Sequence, residues 1–386
     1  MTKWPLAVPS MTTLDKLKIG YWLLTEDHWS AGSFVRDYEK RWETYTGCPH
    51  VIMVHSGSAA NFLIAQRRKA ELIESGEWPR RNRVLFPAVT WISSISPWLQ
   101  QGFEPVFMDV SANMCSSSDQ VAENITPDMA AVFYTSLLGF CGDISAIENI
   151  CSNARVPLYL DNCESSFTAV PYGPWRSRHI CNIVTSSTSL YFSHHTSGNQ
   201  EGGLIFCQSV EEANWYRMAR NHGMTRGMPD FYKNADVDPR FDFYLMGSNH
   251  RTTNLAAYMA SLDLDRARAF SDQRRNLSSL FTQSLDLQKY ALPHLHLDDS
   301  VPLALPILAK RSGTIDRVKT ALDQLEVEWR PIVGGNMLRH TAIGMQDKAR
   351  NFPRAENVHE NGVYIGLHKD VSPEMLTILS ERLNDC

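Results

Sequence analysis

The feature that most narrows the fold is an alternation of short, uninterrupted apolar runs with helical stretches through the first two thirds of the chain. Val51–Val54 precedes a helix opening at Ser58, and Val84–Phe86 precedes Trp91–Gln101. Pro105–Met108 stands by itself, and Ala131–Tyr134 precedes a helix over Ser145–Asn153, which Pro157–Leu160 follows. Cys181–Val184, Gly203–Cys207 and a helix over 210–221 complete the series. A strand with one wet face alternates apolar and polar residues. Continuous apolar runs separated by helices instead predict a mostly parallel sheet covered on both faces, an α/β architecture. Ligands on such sheets bind beyond the carboxyl ends of the strands, so the residues just after each run are the ones to search. Ahead of the series, Phe34, Tyr38, Trp42 and Tyr45 recur at helical spacing and predict an amphipathic helix over 32–46.

A second pattern begins near Asn254. Leu255–Ser271 reads as a long helix leading into Arg274-Arg275, followed by shorter elements: a strand over 302–309, a helix near 314–325, and strands near 327–333 and 363–366. The expected organisation is a large domain over residues 1–250 and a smaller C-terminal α+β domain over 251–386. The long polar and aromatic loop 227–243 predicts a surface or active-site flap.

Charge and cysteine usage exclude several classes. With 37 basic and 42 acidic side chains the 386-residue chain carries −5, interspersed, so no electrostatic footprint for nucleic acid or an anionic membrane is expected. No apolar run is long enough to span a bilayer and no signal-peptide pattern opens the chain, which predicts a cytoplasmic protein. The eight cysteines are scattered without a C-x-x-C pair, so free thiols are expected and no metal site.

Five features follow the strand ends in order. His55-Ser56-Gly57-Ser58 after Val54 is a small-residue turn opening a helix, suited to phosphate but by itself more often a simple helix cap. Trp91 follows the next strand and can stack on a planar ring, although a lone Trp more often belongs to a core. Asp161 ends an apolar strand, where a carboxylate can pair with a protonated pyridine nitrogen or merely cap a turn. The adjacent His194 and His195 offer a titrating acid/base, either one of the two, between Ser189 and Glu201-Gly202-Gly203. Finally, Arg226, the Gly247–Arg251 segment and the Trp329–Asn336 segment supply possible anion contacts, and each alone reads equally as surface charge or turn. Together these are the parts of a pyridoxal-phosphate pocket without its covalent lysine. The sequence has no lysine between Lys69 and Lys233, the stretch that holds most of the pocket.

At this point the chain resembles the fold-type I sugar-nucleotide aminotransferase/dehydratase family. The resemblance rests on MVHSGSAAN (53–61), PAVTWISS (87–94), LDNCES (160–165), YFSHH (191–195), EGG (201–203), HGMTRG (222–227) and RPIVGGN (330–336). By position it implies Gly57, Ser58 and Ser189 at the cofactor phosphate and Trp91 stacked on the ring. It implies Asp161 at the pyridine nitrogen and Glu164 beside the ring hydroxyl. Asn249 would reach the phosphate of a second subunit in a homodimer. His194 falls where the aminotransferases of the family carry lysine and its 3-dehydratases carry histidine. Arg226 and Arg330 are implied at the substrate, and His195 is expected there beside them.

The implied activity is a PLP/PMP-dependent 3-dehydratase acting on a nucleotide-linked 4-keto-6-deoxyhexose, with a GDP-linked sugar expected. L-glutamate would generate the pyridoxamine form, and ammonia and a 4-keto-3,6-dideoxy sugar nucleotide would be released. The competing readings are a different PLP-dependent reaction on another nucleotide sugar, and a lysine-less PLP-binding pseudoenzyme or regulator.

Overall fold

The computed structural model describes residues 3–172, 177–196, 200–291, 300–311 and 313–386. The middle of the 169–180 segment (173–176) and the stretch 197–199 behind the two histidines lie outside the described residues. The strands are β1 (His50–Val54), β2 (Arg83–Pro87), β3 (Glu104–Met108), β4 (Met129–Thr135), β5 (Leu158–Asp161), the hairpin β6 (Ala169–Pro171) and β7 (Ser177–His179), then β8 (Ser186–Ser189) and β9 (Gly203–Cys207). A second group comprises β10 (Tyr290–Ala291), β11 (Ala304–Ala309), β12 (Trp329–Pro331) and β13 (Gly362–Gly366).

Seven strands form one sheet in the order β1-β9-β8-β5-β4-β2-β3. β9 runs antiparallel to both neighbours, and the remaining pairings are parallel. The mostly parallel α/β sheet expected from the continuous apolar runs is therefore present. The helix Ser33–Thr46 lies where the aromatic spacing put it, with Tyr38 and Trp42 fully buried and Trp42 edge-on to Phe206 of β9 at 5.7 Å.

Two expectations need correction. The apolar run Cys181–Val184 is not a strand: Ile180–Asn182 is a single 3-10 turn, and the strand is the polar Ser186–Ser189 beside it. Four hydroxyl residues form a fully buried strand because the sheet backbone satisfies itself and at least one hydroxyl finds a buried partner, Ser187 Oγ donating to Asn61 Oδ1 at 2.5 Å. The helix expected to end near Ser271 runs unbroken over Asn254–Ser284. Its extra turns bury Leu277 and Phe281 in a second core, and Arg274 is buried with them, donating to the carbonyls of Pro302 and Leu303 at 3.1 and 2.7 Å.

That second core sits under the four-stranded antiparallel sheet β10-β11-β13-β12. The N-terminal segment joins it. Trp4 is buried there, its indole N–H donating to the Gly366 carbonyl at 3.0 Å. All eight cysteines are free, and among the described residues no helix is long and apolar enough to cross a membrane.

Candidate active site

Because β1, β8, β5, β4 and β2 share one direction, their carboxyl ends reach the same edge of the sheet, and the candidate residues follow those ends. After β1, Ser56 caps the helix Gly57–Glu74 by accepting from the Ala59 N–H at 3.1 Å. That cap leaves first-turn amides at Gly57 and Ser58 without intrahelical partners, at the positive end of the helix. Gly57 is dictated by close approach: a Cβ there would lie 2.8 Å from both Cys163 Sγ and Ser189 Cβ. The turn after β1, the turn after β5 and the last residue of β8 thus converge on one point. Ser58 is exposed, and Ser189 is buried with its Oγ accepting from the Tyr191 N–H.

After β2, Trp91 precedes the helix Ile92–Gln100. Its ring is 54% exposed, which excludes the core reading and leaves an aromatic face available above the edge. Its loop is braced from the RPIVGGN segment: Val89 bridges to Asn336, and the Met337 N–H donates to the Ala88 carbonyl at 2.8 Å. Asp161 closes β5 and is 3% exposed. Its Oδ2 accepts from Asn61 Nδ2 at 2.8 Å and Ser94 Oγ at 2.7 Å, and its Oδ1 accepts from the Cys163 N–H at 3.1 Å. Three turn residues on, Glu164 accepts from the Leu138 N–H at 2.9 Å. Burial, with the charge of Asp161 adding to it, pushes the Glu164 carboxyl up to about 7.

The two histidines part company. The His194 ring stands edge-on to Tyr191, and among the described residues its Nδ1 has no hydrogen-bond partner. Burial pushes it down to about 4, while the negative charge of Asp161 works the other way, so the imidazole is neutral at pH 7. His195 is 6% exposed; its Nδ1 also lacks a partner among the described residues, but its Nε2 donates to the Val301 carbonyl at 2.9 Å, beside the ring of Phe167. Burial and the Arg274 charge hold it well below its ordinary value. The expected contact of His195 with substrate finds no support in this placement, because the ring packs inward and is tied to backbone.

The remaining candidates lie on the surface. Asn249 is exposed, its Oδ1 accepting from the Arg251 Nε at 3.1 Å, on a strap tied to β1 by the His55 N–H and the His250 carbonyl. Arg226 is exposed and donates to the Arg240 carbonyl inside the 227–243 loop, which is knotted around the buried Asp242 and displays Phe231, Phe241 and Phe243. Arg330 is exposed on β12, paired with Glu328 at 2.8 Å and opposite Tyr364 of β13. An open cleft of about 420 Å³ lies elsewhere, at the amino edge of the sheet, where Arg67 is already paired with Glu71 and Glu212.

Sequence reasoning missed Asn61, Ser94 and Ser187. Asn61 was detectable as a fully buried-face polar residue among Ala59, Ala60, Leu63 and Ile64, and Ser94 as the residue one helical turn beyond Trp91. Ser187 lies in the strand that the apolar pattern misplaced.

Comparison with known proteins agrees with this geometry. A curated relative from Yersinia pseudotuberculosis, a GDP-4-keto-6-deoxy-D-mannose 3-dehydratase, is 26% identical over 93% of both chains. A dTDP-4-dehydro-2,6-dideoxy-D-glucose 3-dehydratase of Saccharopolyspora spinosa is 25% identical over 92% of this chain and 80% of its own length. Among solved structures, the E. coli GDP-4-keto-6-deoxy-D-mannose-3-dehydratase with bound hydrated PLP superposes with a TM-score of 0.88 at 25% identity, covering 99% of this chain and all of that one. The DegT/DnrJ/EryC1/StrS aminotransferase family model matches residues 15–384, and the chain belongs to that family.

Proposed function

We propose that this chain is a pyridoxal-phosphate-dependent 3-dehydratase of a nucleotide-linked 4-keto-6-deoxyhexose, with GDP-4-keto-6-deoxymannose as substrate and L-glutamate as co-substrate. The observation that carries the proposal is His194: a neutral histidine near enough to Asp161 to feel its charge, with no partner for its Nδ1 among the described residues, in a family described as aminotransferases. The relatives from Yersinia pseudotuberculosis and Saccharopolyspora spinosa are 3-dehydratases by name, which supports the same reaction class here.

The residues fit the cofactor. Gly57 leaves a cradle that a side chain would fill, Asp161 Oδ1 keeps a lone pair after its one backbone donor, and Trp91 offers an uncovered ring. Gly57, Ser58 and Ser189 would hold the phosphate, Trp91 the ring face, Asp161 the ring nitrogen and Glu164 the ring hydroxyl. Pyridoxal phosphate, aminated by glutamate, supplies an amine for the C4 ketone and an electron path for breaking the C3–O bond.

The chain's own part is proton movement and placement. His194, neutral, takes a proton at Nδ1 and can return it to the departing C3 hydroxyl, so one imidazole serves as base and then acid. Asp161 balances the positive ring nitrogen. Arg226 and Arg330 are the cations available to the nucleotide diphosphate. The overall reaction balances: glutamate and one water become 2-oxoglutarate and ammonia, the two electrons and two protons released reduce C3, and the C3 hydroxyl leaves as water, which cancels the water consumed.

The functional unit is proposed to be a homodimer, with Asn249 reaching the partner's phosphate. The exposed apolar face Leu14, Leu17, Tyr21 and Leu24 on the helix Thr13–Thr25 supports a covered surface of that kind.

Mass spectrometry of products tests the reading, using cofactor, glutamate and GDP-4-keto-6-deoxymannose beside CDP, dTDP and UDP analogues. A sugar lighter by one oxygen, with ammonia and 2-oxoglutarate, is expected from the GDP substrate. An aminated sugar would overturn it. His194→Asn should lower dehydration by about a hundredfold or more while cofactor affinity is retained.

A further inference from the structure

Both ends of the Asn61 amide are engaged. Its Nδ2 donates to Asp161 Oδ2 at 2.8 Å and to the Ser93 carbonyl at 3.0 Å, and its Oδ1 accepts from Ser187 Oγ at 2.5 Å. Every partner sits on a different element: Asp161 on β5, Ser93 in the helix behind Trp91, and Ser187 on β8. Asn61 itself stands one turn beyond Gly57. The orientation of this amide is fixed, because a flipped amide would set its oxygen against a carboxylate and a carbonyl. Asn61, Ser94 and Ser187 are all fully buried. Water therefore cannot replace a lost donor cheaply.

On Asp161 the donors are unevenly shared. Oδ2 receives two side-chain donors, Asn61 and Ser94, whereas Oδ1 receives one backbone N–H. Oδ1 is the oxygen left with acceptor capacity. Donors to a carboxylate favour its charged form, so they oppose transfer of a proton from a neighbouring cation onto it.

We propose that Asn61, oriented by Ser187, and Ser94 are positioning residues that saturate Asp161 Oδ2, present Oδ1 to the cofactor's ring nitrogen and keep the shared proton on the ring. The proposal rests on Asp161 facing that nitrogen, as read above. It adds that one buried amide sets the phosphate turn, the stacking loop and the ring-nitrogen partner in register.

The test loads the protein with pyridoxal phosphate labelled with 15N in the ring and measures two quantities, the cofactor dissociation constant and the 15N chemical shift. Ser94→Ala removes one donor with little change in volume, and apoprotein thermal unfolding checks that it folds. It is expected to weaken binding about tenfold and to move the 15N signal toward that of a neutral pyridine. Ser94→Thr, which keeps the hydroxyl, should restore both. Asn61→Leu and Ser187→Ala should move the signal the same way.

Asp161→Asn is the reference. If it alters both readouts while Ser94→Ala, Asn61→Leu and Ser187→Ala leave both at the wild-type values, the positioning role is overturned and the role of Asp161 stands. Should Asp161→Asn change neither readout, the assignment of Asp161 fails and the positioning role with it.

Discussion

The floor and the roof of the candidate site are built on opposite plans. In the floor, Asn61, Ser94, Asp161 and Ser187 are buried, and their polar groups answer one another at 2.5–2.8 Å. In the roof, Trp91 and Tyr191 are 54% and 46% exposed, and among the described residues His194 keeps an unpaired nitrogen and Arg226, Arg330 and Asn249 engage local surface partners. A saturated floor cannot adapt without losing buried hydrogen bonds, so it suits the invariant part of the chemistry, the cofactor ring. A loosely tied roof is where a variable sugar nucleotide, or a second subunit, can complete the contacts. Floor substitutions should therefore damage both apoprotein and cofactor binding, and roof substitutions should spare the apoprotein at neutral pH.

The largest expected effect is at Gly57. Gly57→Val would force side-chain atoms into Cys163 Sγ and Ser189 Cβ, already 2.8 Å from the first added carbon. Overpacking of this kind costs about 3 kcal/mol. Both the unfolding free energy of the apoprotein and the cofactor affinity should fall, the latter by about a hundredfold. Chemical denaturation and a cofactor titration measure them. Loss of affinity with unchanged stability would mean that the turn is as pliant as the roof, and the contrast would break.

Glu164, three residues beyond Asp161 of the floor, and His194 of the roof both titrate away from their ordinary values, and their signs oppose. In the apoprotein Glu164 is held up to about 7, chiefly by burial, against an ordinary 4.5. Between those values the folded chain keeps a proton that the unfolded chain has lost, so stability falls as pH rises from 4.5 toward 7. His194 is held down to about 4 against an ordinary 6.5, again chiefly by burial. There the unfolded chain binds the proton first, so stability falls as pH drops from 6.5 toward 4. The two effects offset each other in the wild type and separate in variants. Relative to wild type, Glu164→Gln should gain about 2 kcal/mol between pH 5 and pH 7, whereas His194→Asn should gain in the acid direction. Parallel pH profiles of unfolding for all three proteins would show that neither group is desolvated.

How much of this was legible in the sequence follows from the same physics. The sheet was legible because strands covered on both faces are continuously apolar, as β1, β4 and β9 are. β8 was not, because its fully buried serines and threonine look like a loop until their partners are known, and the neighbouring apolar run Cys181–Val184 drew the strand to itself. The site followed the same divide. Gly57, Trp91, Asp161 and His194 announce themselves by position after a strand, and the structure brings the first three to one edge with His194 close by. Asn61 and Ser94 carry only a faint local signal, a polar residue on a buried helix face and a serine one turn beyond Trp91, and Ser187 carries none, because its hydroxyl meets Asn61 only in the folded sheet. His195 shows the converse: its sequence position is as suggestive as that of His194, and only the Val301 carbonyl reveals it as an inward, neutral ring. The length of the Asn254–Ser284 helix was hidden because Arg274 reads as a solvated end, while in the fold its guanidinium is consumed by two backbone carbonyls.

The smallest expected effect discriminates most finely between the layers. Trp91 caps no helix with its side chain and leaves more than half of its ring uncovered, so the apoprotein gains little from it. Trp91→Ala should therefore change apoprotein stability by no more than about 0.5 kcal/mol. Stacking on a bound ring is worth roughly 0.5–1.5 kcal/mol beyond buried area, so cofactor affinity should fall by about threefold or more, and Trp91→Phe should recover most of it. Ser94 lies one helical turn away and faces inward, and its loss should register in the ring-nitrogen signal, which Trp91→Ala should leave in place because a stacked face does not share the proton. A drop in apoprotein stability of several kcal/mol on Trp91→Ala would place this ring among the packed residues, and the roof would then be an extension of the floor rather than its opposite.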